Sequence, residues 1–116
     1  IERFKQWMAE ARAGGLHQQA YILAGVMVIK SAASARFLRD RLPGSRVPDW
    51  VIERMERAAD PEAEGIAIAA ELTNELLAVE GVRGVHLMSV GWTKAIPQVV
   101  ERAGLLPRPA APPAAE

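Results

Sequence analysis

Apolar residues at Ile1, Phe4, Met8 and Ala11, three and four positions apart, draw one stripe along a helix over Ile1 to Ala13. Gly14-Gly15 ends it. The pattern then changes, because Tyr21 to Ile29 is an unbroken apolar run, YILAGVMVI, of strand length and rich in branched residues. Without alternation, the run predicts an interior parallel strand covered on both faces. Ser31 is placed to cap a helix reaching Leu42, where Pro43-Gly44 stops it. Another helix starts at Val47-Pro48-Asp49, with the proline tolerated in a first turn, and runs to about Ala59. Asp60-Pro61-Glu62 restarts the helix with an N-cap, a first-turn proline and an acid facing the helix dipole. This helix extends to about Val79, with Ile66, Ala69, Ala70, Thr73, Leu76 and Leu77 as its inner stripe. Gly81 and Gly84 bracket the turn into a second strand, Val85 to Val90, and Thr93 caps a last helix to Ala103, with Gly104 as its stop.

The resulting order is α-β-α-α-α-β-α with two parallel strands, the mark of an α/β protein. Two parallel strands leave their outer edges unpaired, so the sheet is incomplete and the chain reads as part of a larger α/β domain. It either assembles with other copies or belongs to a longer polypeptide. Residues 1–106 form the ordered unit; residues 107–116, PRPAAPPAAE, are too poor in large apolar side chains to pack and are expected to be disordered. Ligands of α/β proteins are usually held just past the carboxyl end of a strand, which draws attention to Met88, Ser89, Val90, Gly91 and Trp92.

Composition narrows the chemistry. At 116 residues, half of them apolar, there is room for one modest core. The 14 Lys and Arg balance the 14 Asp and Glu, which argues against nucleic acid or an anionic membrane as the main partner. Absence of cysteine excludes disulfides, thiolate metal sites and a cysteine nucleophile, and fits the cytoplasm. Apolar runs reach about half the length of a bilayer-spanning helix. No glycine-rich phosphate loop, HExxH or GxSxG occurs, and two distant histidines, His17 and His86, make a metal site or triad improbable. His86, in mid-strand among apolar neighbours, predicts a core histidine in preference to a general base.

Taken in order, the segments IERFKQWMAEARAGGL, AYILAGVMVIKSAASARFL, PGSRVPDWVIERMERAADPEAEGIAIAAELTNELL and GVRGVHLMSVGWTKAIPQVVERAGL resemble the carboxyl-terminal part of 5,10-methylenetetrahydrofolate reductases. Pro43-Gly44 followed by Val47-Pro48 and the Glu64-Gly65-Ile66 helix gives the set its specificity. The resemblance implies the last stretch of a (β/α)8 TIM barrel: the helix after strand six, strand seven with its helices, strand eight and the closing helix. It further implies an enzyme that holds FAD at the carboxyl ends of its strands, takes a hydride from NADH or NADPH, and passes it to methylenetetrahydrofolate. Flavin contacts and the catalytic acid of the family lie on earlier strands, so neither is assigned here, and this segment alone is expected to be inactive. A homo-oligomer or an electron-transfer partner subunit is left open.

Substrate-binding positions that the resemblance implies are Lys30, Ser34, Leu38, Met88, Val90 and Trp92. A family glutamine and phenylalanine fall at Ser34 and Leu38, and an arginine falls at Trp92; all three are departures. Lys30 or Lys94 then remains to meet the folate carboxylates, and Val28 replaces a proline that is common after the glycine of strand seven. Each residue also has a structural reading: Trp92 as a cover for the barrel rim, Met88 as core filler, Lys30 as a solvated loop lysine, and Ser34 bonded to its own helix. The alternative function is a non-catalytic barrel remnant that binds a partner subunit through its open strand edges.

Overall fold

The computed structural model describes residues 1–108. Along the chain run α1 (Glu2–Ala13), α2 (Leu16–Gln19), β1 (Ile22–Val28), α3 (Ala32–Arg41), α4 (Asp49–Arg57), α5 (Pro61–Leu77), β2 (Val82–Ser89) and α6 (Ala95–Arg102). The described residues thus form a mixed α/β structure with two parallel strands and six helices. Local signals set most of the boundaries. Ser31 Oγ accepts from Ser34 N at 3.1 Å and opens α3, and Asp60 Oδ1 accepts from Ala63 N at 3.1 Å and opens α5 with Pro61 in its first turn.

Three boundaries differ from the sequence expectation. The four-residue helix α2 fills the polar turn, because Gly15 at φ 74° reverses the chain and lets a short helical turn form. Strand β2 starts earlier, at Val82; Gly81, at φ 91°, makes the turn alone, while Gly84 lies inside the ladder opposite Leu23. A side chain at Gly84 would meet Leu23 Cδ2 at 3.0 Å, so a small residue suits the pairing. Thr93 makes no side-chain cap, since α6 begins two residues later at Ala95. The tail assignment falls on residues 109–116, outside the described residues, apart from Pro107 and Arg108.

The strands pair in parallel from Ile22 with Val82 to Val28 with Ser89. Ala24, Val26 and Val28 of β1 bury themselves beneath α5 and α6 in a core that contains Ile66, Ala69, Ala70, Leu76, Trp92 and Val99. A smaller cluster joins α1 to the strand starts through Met8, Ala11 and Ile22. Helix α5 is wedged. Its residues Gly65 to Ala70 are all buried, with Ile66 and Ala69 against the sheet and Ile68 against Ala35, Val51, Ile52 and Met55 of α3 and α4. A run of small residues lets the helix be approached from two sides at once.

The opposite face of the sheet is bare, which corrects the expectation of a strand covered on both sides. Along β1 burial alternates, with Leu23 58% exposed between buried neighbours. Leu23, Gly25 and Met27 of β1 share this open face with Gly84, His86 and Met88 of β2. His86 is accordingly exposed and not a core histidine. Trp50 also stays in water, 55% exposed.

Arg54 ties α4 to α5. Its Nη1 and Nη2 donate to Glu71 at 2.5 and 2.8 Å, and its Nε donates to Glu64. The guanidinium holds the Glu71 carboxyl below the usual glutamate range. Folding thus favours ionised Glu71; its contribution is whole above pH about 4.3 and is lost as pH falls through the lowered value. Because Glu71 is more than half exposed, solvent screens the pair and limits the effect to about 1 kcal/mol. Arg54→Met is expected to flatten this acid limb in urea denaturation followed from pH 6 to 3, which brackets the ordinary glutamate value of about 4.3.

Candidate functional site

Parallel pairing brings the carboxyl ends of β1 and β2 side by side, and the chain leaving β1 turns into α3 across them. Between these pieces lies a recess of about 360 Å³, in the size range of small-molecule sites. Met27 and Val90 line it on the sheet side, Lys30 on the connecting loop, and Ala33, Ser34, Phe37 and Leu38 on α3. Spacing explains the α3 wall: positions 33 and 37, with 34 and 38, form two adjacent rows on one helix face.

Four of the residues singled out from sequence, Lys30, Ser34, Leu38 and Val90, thus meet at one recess. Met88 lies next to it on the open sheet face, in register with Met27 and 36% exposed. Trp92 does not join them. It is 3% exposed in the core with Ala95 and Val99, so it belongs to the packing beneath the sheet and not to the recess wall. Its Nε1 is buried without a hydrogen-bond partner, which leaves that polar group a cost to the fold.

The recess is mostly apolar. Among its lining residues Lys30 is the one charged group, and its Nζ stands 3.3 Å from Glu62 Oε1 at the start of α5, with both side chains about half exposed. Such a surface pair is worth little and yields readily to a competing anion. Ser34 Oγ lies 3.0 Å from Ser31 Oγ, so its hydroxyl takes part in the helix cap and keeps capacity for one more partner. Leu38 also lines a second cavity of about 220 Å³ bounded by α4 and α5, and so stands as a partition between the two.

Met27, Ala33 and Phe37 of the recess, and Gly65 beneath its loop, were not singled out in the sequence. Phe37 lines the recess and is 64% exposed; its spacing from Ala33 and Ser34 was the signal that could have found it. A side chain at Gly65 would run into the carbonyl oxygen of Ile29, immediately before Lys30, so α5 sets the height of the site loop. Arrangement of these groups suits a flat, largely apolar ligand that carries an anionic group within reach of Lys30. Among the described residues no carboxylate or histidine lines the recess, and Lys30 is its one ionisable group.

Comparison with known proteins gives the same direction. The family model described as methylenetetrahydrofolate reductase matches residues 1–104. Methylenetetrahydrofolate reductase 1 of Schizosaccharomyces pombe is 25% identical, in an alignment covering 97% of this chain. The chain spans 19% of that relative's length. No solved structure is significantly similar to it. With the family model covering nearly all of the described residues, this chain belongs to the methylenetetrahydrofolate reductase family.

Proposed function

We propose that this chain is the carboxyl-terminal part of a (β/α)8 barrel enzyme that reduces 5,10-methylenetetrahydrofolate to 5-methyltetrahydrofolate with NADH or NADPH. The recess past β1 forms the wall of the pocket shared by folate and nicotinamide. The observation that carries the reading is the meeting of Lys30, Ser34, Leu38 and Val90 at the carboxyl ends of parallel strands in a chain of this family. In a closed barrel the helices lie outside and the second face of each strand points inward, and here the bare face of Leu23, Met27 and Met88 has the inward role to fill.

FAD, the expected cofactor, is a two-electron carrier between nicotinamide and folate. These residues do not fit it: the recess is lined by apolar side chains with Lys30 as its one cation, short of the charge a dinucleotide pyrophosphate calls for. The flavin is therefore proposed to be held outside the described residues, while this chain orients the substrate. Lys30 attracts the folate carboxylates, and the apolar walls exclude water from the ring.

The test uses the complete protein that carries this chain. It is expected to purify yellow, to bleach under NADH or NADPH without oxygen, and to regain its colour on addition of methylenetetrahydrofolate. A bleached protein that the folate does not reoxidise overturns the reading. A colourless protein that retains a partner subunit on its strand edges favours the non-catalytic module instead.

A further inference from the structure

We infer that the outer face of α4 is a contact between two copies of this protein, with the two helices antiparallel about a two-fold axis. Helix α4 turns Val51, Ile52 and Met55 inward, against Ala35 of α3 and Ile68 of α5. Trp50, Glu53 and Arg57, at spacings of three and four, form the stripe on its opposite side. Trp50 is 55% exposed, and the Glu53 and Arg57 side chains are 58% and 82% exposed. A groove of about 460 Å³ at this face is lined by Trp50, Glu53, Arg54, Arg57, Ala58 and Glu64. Closing a barrel does not cover it. Ile66 and Ala69 of α5 face the sheet while Ile68 faces α4, so α4 lies outside α5, whereas strands that extend the sheet add at its open edges.

The order of groups along the stripe selects the occupant. It runs aromatic, acid, base, so a wholly acidic or wholly basic surface meets a like charge somewhere along it. A second copy laid antiparallel does not. Trp50 and Arg57 are about 10 Å apart along the helix axis at 1.5 Å per residue. With the two helices crossing near Arg54, the indole of each copy falls on Arg57 and Ala58 of the other, and each Glu53 comes within reach of the other copy's Arg57. A guanidinium stacks on an indole face, and two-fold symmetry makes each such contact twice. Within one copy Arg57 Nη2 stands 3.8 Å from Glu53 Oε2, an exposed pair weak enough to be exchanged for the contact between copies. An exposed tryptophan beside an arginine is the composition of an interface centre.

The experiment is sedimentation of the complete protein over a range of concentrations, with circular dichroism of each variant to confirm its fold. The unaltered protein is expected to associate, and Trp50→Ala to weaken that association about tenfold or more. Trp50→Glu should halve the assembled mass. Glu53→Arg and Arg57→Glu are each expected to weaken association, and the double variant, which restores opposite charges across the two-fold axis, to recover it. Three results overturn the inference: an unaltered protein of single-copy mass at all concentrations, a folded Trp50→Glu variant that keeps the full mass, or a double variant as dissociated as the single ones. The reductase reading is tested apart from this one. A protein that associates through Trp50 but is not reoxidised by methylenetetrahydrofolate loses that reading and keeps the contact between copies.

Discussion

Trp92→Ala is expected to lower stability by about 3–5 kcal/mol, the range for truncating a large aromatic in a core. Trp92 is 3% exposed, and its neighbours in the core include Ala24, Ala69, Ala70 and Ala95, side chains too short to collapse into the space left behind. The cavity would persist. Trp92→Phe should recover most of the loss, because it keeps an aromatic ring and removes a buried Nε1 that has no acceptor. Urea denaturation of the complete protein measures both effects, and a shifted midpoint with an unchanged slope marks a stability change. Folate use and flavin retention should decline together in Trp92→Ala. An unshifted midpoint with selective loss of folate use would return Trp92 to the ligand pocket.

Gly65→Ala comes second, a net destabilisation of about 2 kcal/mol at the upper end of overpacking costs. Alanine gains about 1 kcal/mol over glycine in helix propensity, so an ordinary helical site would be stabilised by this change. At Gly65 the added methyl instead overlaps the Ile29 carbonyl oxygen and lies 3.3 Å from Met55 Cε. The methionine can swing away, but the carbonyl belongs to the backbone at the end of β1. Relief requires α5 to back off from the sheet, loosening Ile66 and Ala69 as well. Thermal melting of the complete protein checks the sign: a raised melting temperature would mean that the helix and strand separate freely.

Parts of the structure were legible where the signal was local. Ser31 and Asp60 announce their helices because an N-cap is decided within one turn, by a side-chain oxygen and an amide three residues on. Lys30, Ser34, Leu38 and Val90 were reachable through the resemblance and the strand ends, and they do converge. Burial across elements was not legible. The run Tyr21 to Ile29 is apolar throughout, yet only alternate residues of β1 lie under helices, and nothing in the run says which face they take. Trp92 follows a strand end just as a ligand contact would; its burial depends on α5 and α6, whose approach is set by small residues far along the chain. Phe37 was passed over because the resemblance pointed one position further, to Leu38, and a single helical step changes the direction of a side chain by about 100°. Gly65 entered only as part of the Glu64-Gly65-Ile66 segment, because its contact with the Ile29 carbonyl forms between elements distant in sequence.

The pairing of Ile22 with Val82 has a consequence for how the molecule assembles in time. The first strand cannot find the second until the chain between them, comprising α3, α4 and α5, has been drawn in, and that closure carries an entropic cost before any ladder hydrogen bond repays it. Helices α4 and α5, tied by Arg54 and by the contacts of Ile68 with Val51 and Ile52, are expected to form early. In hydrogen exchange during refolding, amides of α5 should gain protection first, and those of β1 and β2 last and together.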